Sequence, residues 1–565
     1  MANIFSKFFN NKVENIRNKL DENSTSYKED LTFRGAPLTE FKEISMEETK
    51  KLIMKTKNSY NDLLDPLPTF LVKECLDELL PLITEIINTS LRLGIVADPL
   101  KEAIIKPLLK KLGLELINKN YRPVSNLSFI SKLIESAVVE QYINHLNINK
   151  LNDPKQSAYK KNHSTETLLL KVKDNIQLHI DQGEVVLLVL LDLSAAFDTI
   201  DHDILLNRLE KMYGGQDKAL QWFKSYLSGR CQTVNINSAL SEKIPLKHGV
   251  PQGSILGPVL FNSYIAPLSK IAQLHGIEDD KFADDEQMAL AFRTTQLQSQ
   301  LNAVIKMENC IDDIRDFLKQ NKLSNNGEKT ECSLFGTSQQ LKKIKFESID
   351  VDGVQIKIKN EVKNLGIMFD STLSMAAQVK KICKTGYLNL KNISEIRKSL
   401  NKDNCKIIIN ALVTSHLDYG NSLLYGISKK QMNKLQVLQN ASVRLIEKKR
   451  KHDSISQSRK ELHWLPIEAR IEFKILKFTW QCLNDMAPKY LSDKLKFKTN
   501  SRNLRNNGNL LLSVPDTNLA TYGDISFSKV APKLWNTLPL ELRTIKSLDL
   551  FKKKLKTFLF VKFYN

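Results

Sequence analysis

Apolar residues between Ser45 and Leu93 recur at helical spacing, among them Leu76, Leu79, Leu80, Ile83, Ile86 and Ile87, which predicts two or three helices. An apolar run, Ala103 to Leu109, follows and leads through the basic turn KKLG (Lys110 to Gly113) to NYRPVS (Asn120 to Ser125). That pattern reads as strand, turn, strand. Helical spacing returns from Ser131 to Asn147 and from Thr165 to Asp181. The strongest strand signal is VVLLVLLDL, Val185 to Leu193, apolar on both faces and therefore a buried central strand. From Ser371 onward amphipathic helices dominate, as at Met432, Leu435, Leu438 and Leu445. Residues 1 to 45 read as a surface helix and a polar linker (DENSTSYKED) without chemistry. No internal repeat is present. No apolar run approaches the roughly 18 to 20 residues that a bilayer-spanning helix needs.

A chain of 565 residues is too long for a single core, so two or more packed units are expected. With 42% hydrophobic and 26% charged residues it has the composition of a globular protein. The N-terminal helix carries Glu14 and Asp21, unlike an acid-poor transit peptide. Seven cysteines stand singly, without the spacing of a zinc site, which implies a reducing, intracellular setting. The net charge of +20 is segregated: residues 371–565 hold 36 Lys and Arg against 14 Asp and Glu, whereas residues 1–370 hold 47 against 49. Such a one-sided field suits a polyanion, foremost nucleic acid. A solvated basic surface or an acidic protein partner stays open on charge alone.

The chemistry begins with Asp192, an acid at the end of the buried strand, where a charge requires a partner or a metal to offset its desolvation. A second acidic pair, Asp284 and Asp285 in KFADDEQMAL, has the form of a hairpin with carboxylates at its tip. Three carboxylates brought together can hold two divalent ions, which is the arrangement for in-line nucleotidyl transfer. A lone pair of aspartates is more often a solvated turn. Between the acidic sites lies HGVPQGSILGPVLF, His248 to Phe261, whose glycines let backbone approach a planar ligand closely. The order D(x)4F, PQGSxLGP, FADD is specific where each piece is weak.

In these motifs the chain resembles the reverse transcriptases of non-LTR (LINE-type) retrotransposons, most of all jockey-like ones. The resemblance takes in DPLPTFLVKE, NYRPVSNLSFISKLIES, QSAYKKNHSTETLLL, the three motifs above, NKLSNNGEKTECSLFGT, VKNLGIMFD and, beyond them, SHLDYGNSLLYG and APKLWNTLPLELR. It implies an α+β right-hand polymerase, with fingers and an antiparallel palm sheet over 87–370. A linker-like helix (1–45) and a helical extension (46–86) would precede these, and a helical thumb (371–450) and basic C-terminal region (451–565) would follow. The implied activity is RNA-directed DNA synthesis from a DNA 3′-hydroxyl, with template RNA, primer DNA and dNTPs as partners. Two Mg2+ ions, replaceable by Mn2+, would be held by Asp192, Asp284, Asp285 and the Leu193 carbonyl. Phe197 occupies the steric-gate position, with a core Phe as the alternative. Arg122, Lys110, Lys329, Gln252 and Gly253 are implied nucleotide contacts; Lys106, Lys111, His163 and Pro251 are implied template contacts. For the lysines of the hairpin and for Lys329, a solvated surface role stays open.

Some positions depart from the family pattern. The strand before FADD reads GIEDDK, Gly276 to Lys281, where apolar residues are usual, and Glu286 replaces a small polar residue. A weakened hairpin is the expectation. Asn325 stands where an apolar residue is usual before Asn326. The sequence shows no endonuclease domain or CCHC knuckle, so a 5′-truncated or domesticated copy, or an endonuclease supplied by another chain, is expected. The competing functions are a catalytically inactive nucleic-acid-binding remnant and an RNA-dependent RNA polymerase, the latter disfavoured by FADD and Phe197. The family's target-primed mechanism implies action in the nucleus and a cytoplasmic ribonucleoprotein; no membrane partner is expected.

Overall fold

The computed structural model describes residues 1–21, 32–111, 113–325, 327–498 and 510–564. Most of the expected polar linker, Leu112 of the basic turn, and Asn326 lie outside the described residues. The chain divides into two compact units, each gathered from separate stretches. One comprises Met1–Tyr159, Leu191–Glu286 and Asn309–Lys329; the other comprises Lys160–Leu190, Gln287–Glu308 and Thr330–Asn565.

In the first unit, the apolar run and NYRPVS form an antiparallel hairpin, Glu102–Leu109 with Tyr121–Asn126, in which Leu108 faces Arg122. The first of these strands also pairs in parallel with Cys231–Ile236, Ala103 opposite Gln232. Helix Phe129–Ile148 starts at Ser128, whose hydroxyl accepts from Ser131 N at 3.2 Å, and buries Leu133, Ile134, Ala137 and Val138. The N-terminal helix, Ala2–Asp21, is more than a surface spacer. Phe5 and Phe9 bury against Ile105 and Val234, the Tyr121 ring meets Phe5 edge-on at 5.0 Å, and Arg17 pairs with Asp201 at 2.7 Å. A fully buried Phe contributes about 1.5–3 kcal/mol, enough for two of them to hold a helix in place.

In the second unit, Val185–Leu191 is the buried strand its composition demands, antiparallel to Glu331–Phe335 with Val189 opposite Cys332. The sheet continues from Glu331–Phe335 to Val354–Lys359 and Ser348–Val351 on one side, and has Asp285–Phe292 beside Val185–Leu191 on the other. Helix Thr165–Asp181 is capped by Ser164 and buries Leu168, Leu169, Leu170, Ile176 and Ile180. Its acids bind distant chain: Asp174 accepts from Ser528 N at 2.8 Å and pairs with Lys494 at 2.6 Å. Asp181 accepts from Leu519 N at 2.6 Å, and Glu166 from Ser422 Oγ at 2.7 Å. These long-range bonds join helix Thr165–Asp181 to C-terminal chain within the second unit. After Ser371 the long elements are helices, including Ala376–Ile396, Lys429–Glu447, Ile467–Leu483 and Leu548–Tyr564. Among the described residues no helix is long and apolar enough to cross a membrane.

Candidate active site

Asp192 directly follows the central strand, and Leu193 extends that direction as a bridge to Asn325, with Ser194 N donating to Ser324 O at 2.8 Å. Ala195 then adopts φ +52, and its carbonyl accepts from the backbone N–H groups of Asp198 and Thr199, which turns the chain into a tight loop. The second acidic pair sits where Glu278–Phe282 passes into Asp285–Phe292. Ala283, at φ +59, makes the turn, an uncommon conformation for a residue with a Cβ. It is held by Gln156, a buried side chain absent from the sequence-based site. The Gln156 amide donates to Ala283 O at 3.1 Å and accepts from Ala283 N at 2.9 Å.

The charged strand forms this hairpin with charged side chains turned into the fold. Lys281, Asp279 and Asp280 are buried, and Lys281 lies 3.1 Å from Asp153 and 3.5 Å from Asp279. The desolvation cost is offset by pairing inside the fold. Glu286 is also buried, neither oxygen has a hydrogen-bond partner among the described residues, and burial pushes its carboxyl up to about 8.

The three acids feel one another. Burial raises Asp284 above its ordinary value, and the Asp192 charge adds to this; burial, then Asp284 and Asp192, push Asp285 up to about 6. The Lys329 ammonium stands 2.8 Å from Asp192 Oδ2 and lowers both. Among the described residues no three acidic, His or Cys side chains converge on a common metal position. The donor chemistry nevertheless fits a hard divalent cation: carboxylates, of which Asp284 and Asp285 are raised in part by the Asp192 charge, a repulsion that a positive charge would relieve.

Residues 108–369 match the family described as reverse transcriptase (RNA-dependent DNA polymerase). This segment resembles a reverse transcriptase domain. The chain is 26% identical over 369 residues to the probable RNA-directed DNA polymerase from transposon BS of Drosophila melanogaster, covering 64% of this chain and 40% of that protein. It is 24% identical over 412 residues to the RNA-directed DNA polymerase from mobile element jockey of Drosophila funebris, and 25% over 415 residues to that of Drosophila melanogaster, covering 71% of this chain and 44% of each. The chain thus spans less than half the length of these relatives. Among solved structures, apo telomerase from Candida Tropicalis, truncated from its C-terminal domain, matches at a TM-score of 0.34 and 14% identity. That match covers 49% of this chain and 55% of the other.

Within the matched segment, Phe197 is half-buried and stacks on buried Phe261, ring centroids 4.6 Å apart and 22° between planes. Gln252 O accepts from Ser125 N at 2.8 Å, and its side-chain Oε1 is buried without a partner among the described residues. Glu135, which the motifs did not single out, fixes the following turn. Its buried carboxylate accepts from Ile255 N at 2.6 Å, Leu256 N at 3.2 Å and the Tyr226 hydroxyl at 3.1 Å. Arg122, Lys106, Lys110 and Lys111 are exposed on the hairpin of the first unit. Burial, then the charges of Lys12, Lys329 and Arg122, lower the Lys110 ammonium, which places these cations in one field. Pro251 is buried. His163 belongs to the second unit, bonds Lys161 O at 2.8 Å and meets the Tyr490 ring at 5.7 Å.

Proposed function

We propose that the chain is an RNA-directed DNA polymerase of a non-LTR retrotransposon, copying template RNA into DNA from a DNA 3′-hydroxyl. The observation that carries this reading is the gathering of Asp192, Asp284 and Asp285 into one electrostatic cluster, at the end of a buried strand and the tip of a clamped hairpin. Asp192, Asp284, Asp285 and the Leu193 carbonyl would hold Mg2+, which would supply activation of the primer hydroxyl and charge stabilisation of the leaving pyrophosphate. Lys329, 2.8 Å from Asp192 Oδ2, would hold that carboxylate in place and supply positive charge for the triphosphate. The PQGS loop, pinned to Ser125 and Glu135, offers backbone to the nascent base pair, and Phe197 stands where a 2′-hydroxyl would be excluded. The polymerase hand corresponds to fingers and palm within 87–370 followed by a helical thumb. The basic C-terminal region, residues 371–565, holds the nucleic acid.

Extension of oligo(dT) on poly(rA) with Mg2+ tests the proposal. Asp192→Asn, Asp284→Asn and Asp285→Asn should each reduce incorporation by at least about a hundredfold, because the aligned charge of the cluster is lost, while template affinity stays within about twofold. Wild-type rates from both Asp192→Asn and Asp284→Asn would refute the assignment.

A further inference from the structure

A cleft of about 510 Å3 lies in the first unit between the N-terminal helix and the segment Leu193 to Ala195 that follows Asp192. Small-molecule sites occupy roughly 300 to 1,000 Å3, so a nucleotide-sized ligand fits. The chain after Asp192 forms its floor, and Lys110 and Lys329, both implied triphosphate contacts, line it. Lys119 and Lys247 add charge from the hairpin and from the stretch before His248, and Lys12 adds it from the helix. Among the described residues no hydrogen bond or ion pair engages the ammonium groups of Lys12, Lys119 or Lys247. The acids that line the cleft are Glu14 and Asp198, and Arg17 is already neutralised by Asp201. A surplus of unpaired cations in one concave site is a field for a polyanion.

Lys12 is not loosely placed. Phe9 and Arg17, within one and two helical turns of it, are both buried and anchored, which fixes the face of the helix that Lys12 shares with the cleft. It is near enough to act on both walls: its charge lowers the Lys110 ammonium and opposes the burial that raises Asp198. An extended nucleic-acid strand would also bring phosphates, but a bounded cleft floored by the chain after Asp192 suits the compact charge of a triphosphate better.

We infer that Lys12 binds the triphosphate of the incoming nucleotide, so that the N-terminal helix is a wall of the substrate site; the inference rests on the polymerase reading above. A lysine of this kind makes charge-assisted hydrogen bonds to phosphate oxygens and acts on affinity for the nucleotide.

The test uses the full chain and dTTP, with two readouts: KM in oligo(dT) extension on poly(rA), and equilibrium binding of dTTP in the absence of primer and template. Lys12→Glu should raise the KM and weaken dTTP binding by about tenfold each. Lys7→Glu, an exposed lysine of the same helix outside the cleft, should leave both at wild-type values. Unchanged dTTP binding by Lys12→Glu overturns the inference. So does a loss confined to primer–template affinity, which would assign the cleft to the nucleic-acid backbone. If the wild-type chain extends no primer, the polymerase reading falls, and the dTTP-binding comparison still decides the role of Lys12.

Discussion

A Cβ on Gly253 would stand 2.4 Å from the carbonyl oxygen of Ser125. The backbone there has φ +129, which residues with a side chain rarely adopt, and the neighbouring Gln252 O accepts from Ser125 N at 2.8 Å. The PQGS loop and the strand Tyr121–Asn126 are therefore held at main-chain distance, and only glycine fits between them. Gly253→Ala should lower stability by about 1–3 kcal/mol and slow primer extension by at least about tenfold, since the loop must withdraw from the strand. Thermal unfolding and single-nucleotide incorporation, measured on the same preparation, check both effects. A variant with wild-type values for each would show that the close approach relaxes without consequence.

Phe197 stacks on Phe261 with one side partly open. Shortening it in Phe197→Val should raise the ratio of ribonucleotide to deoxyribonucleotide incorporation by at least about tenfold, because exclusion by shape disappears with the ring. A purely packing role gives a different result: a lower melting temperature with the sugar preference unchanged.

Burial beside the cleft pushes the Asp198 carboxyl from 3.8 up to about 6. Its neutral form is favoured in the folded state, so the wild-type chain loses stability as pH rises through that window and loses no more above it. Asp198→Asn is neutral throughout. The melting temperature of the variant relative to wild type should therefore climb between pH 4 and 6 and then level off. A difference that shrinks over the same range would mean that the attraction of Lys12 outweighs desolvation.

The central strand and the first hairpin are legible in local pattern alone. The apolar run Ala103 to Leu109 corresponds to Glu102–Leu109, and NYRPVS to Tyr121–Asn126. Local periodicity suffices there because each strand carries its own burial signal. The hairpin at Asp284 is legible as well, but not what supports it: Asp153 and Gln156 lie more than a hundred residues before the segment they bond. The N-terminal helix hides its role for a similar reason. Its amphipathic pattern shows that it has a buried face but not that Ile105, Val234 and Asp201 receive it. Glu135 resembles any helix-surface glutamate until the Ile255 and Leu256 amides are placed over it.

The basic surplus after Ser371 should appear in the salt dependence of RNA binding. Lys448 and Lys451 are exposed beyond the end of helix Lys429–Glu447. Lys448→Glu combined with Lys451→Glu should reduce the slope of log affinity against log salt by roughly 0.7 to 0.9 for each phosphate that the pair neutralises. An unchanged slope with unchanged affinity would assign this stretch to solvated surface.

The bonds of helix Thr165–Asp181 also impose an order of events during synthesis. Asp174 is made 354 residues before Ser528, the group that satisfies it. At about 5–20 residues per second the ribosome needs roughly 20 to 70 s to cover that distance. Through that interval the apolar side of the helix, with Leu168 to Leu170, lacks its C-terminal cover and is a natural client for chaperones. A nascent chain halted before residue 528 would keep its three aspartates in sequence yet leave the second unit unfinished.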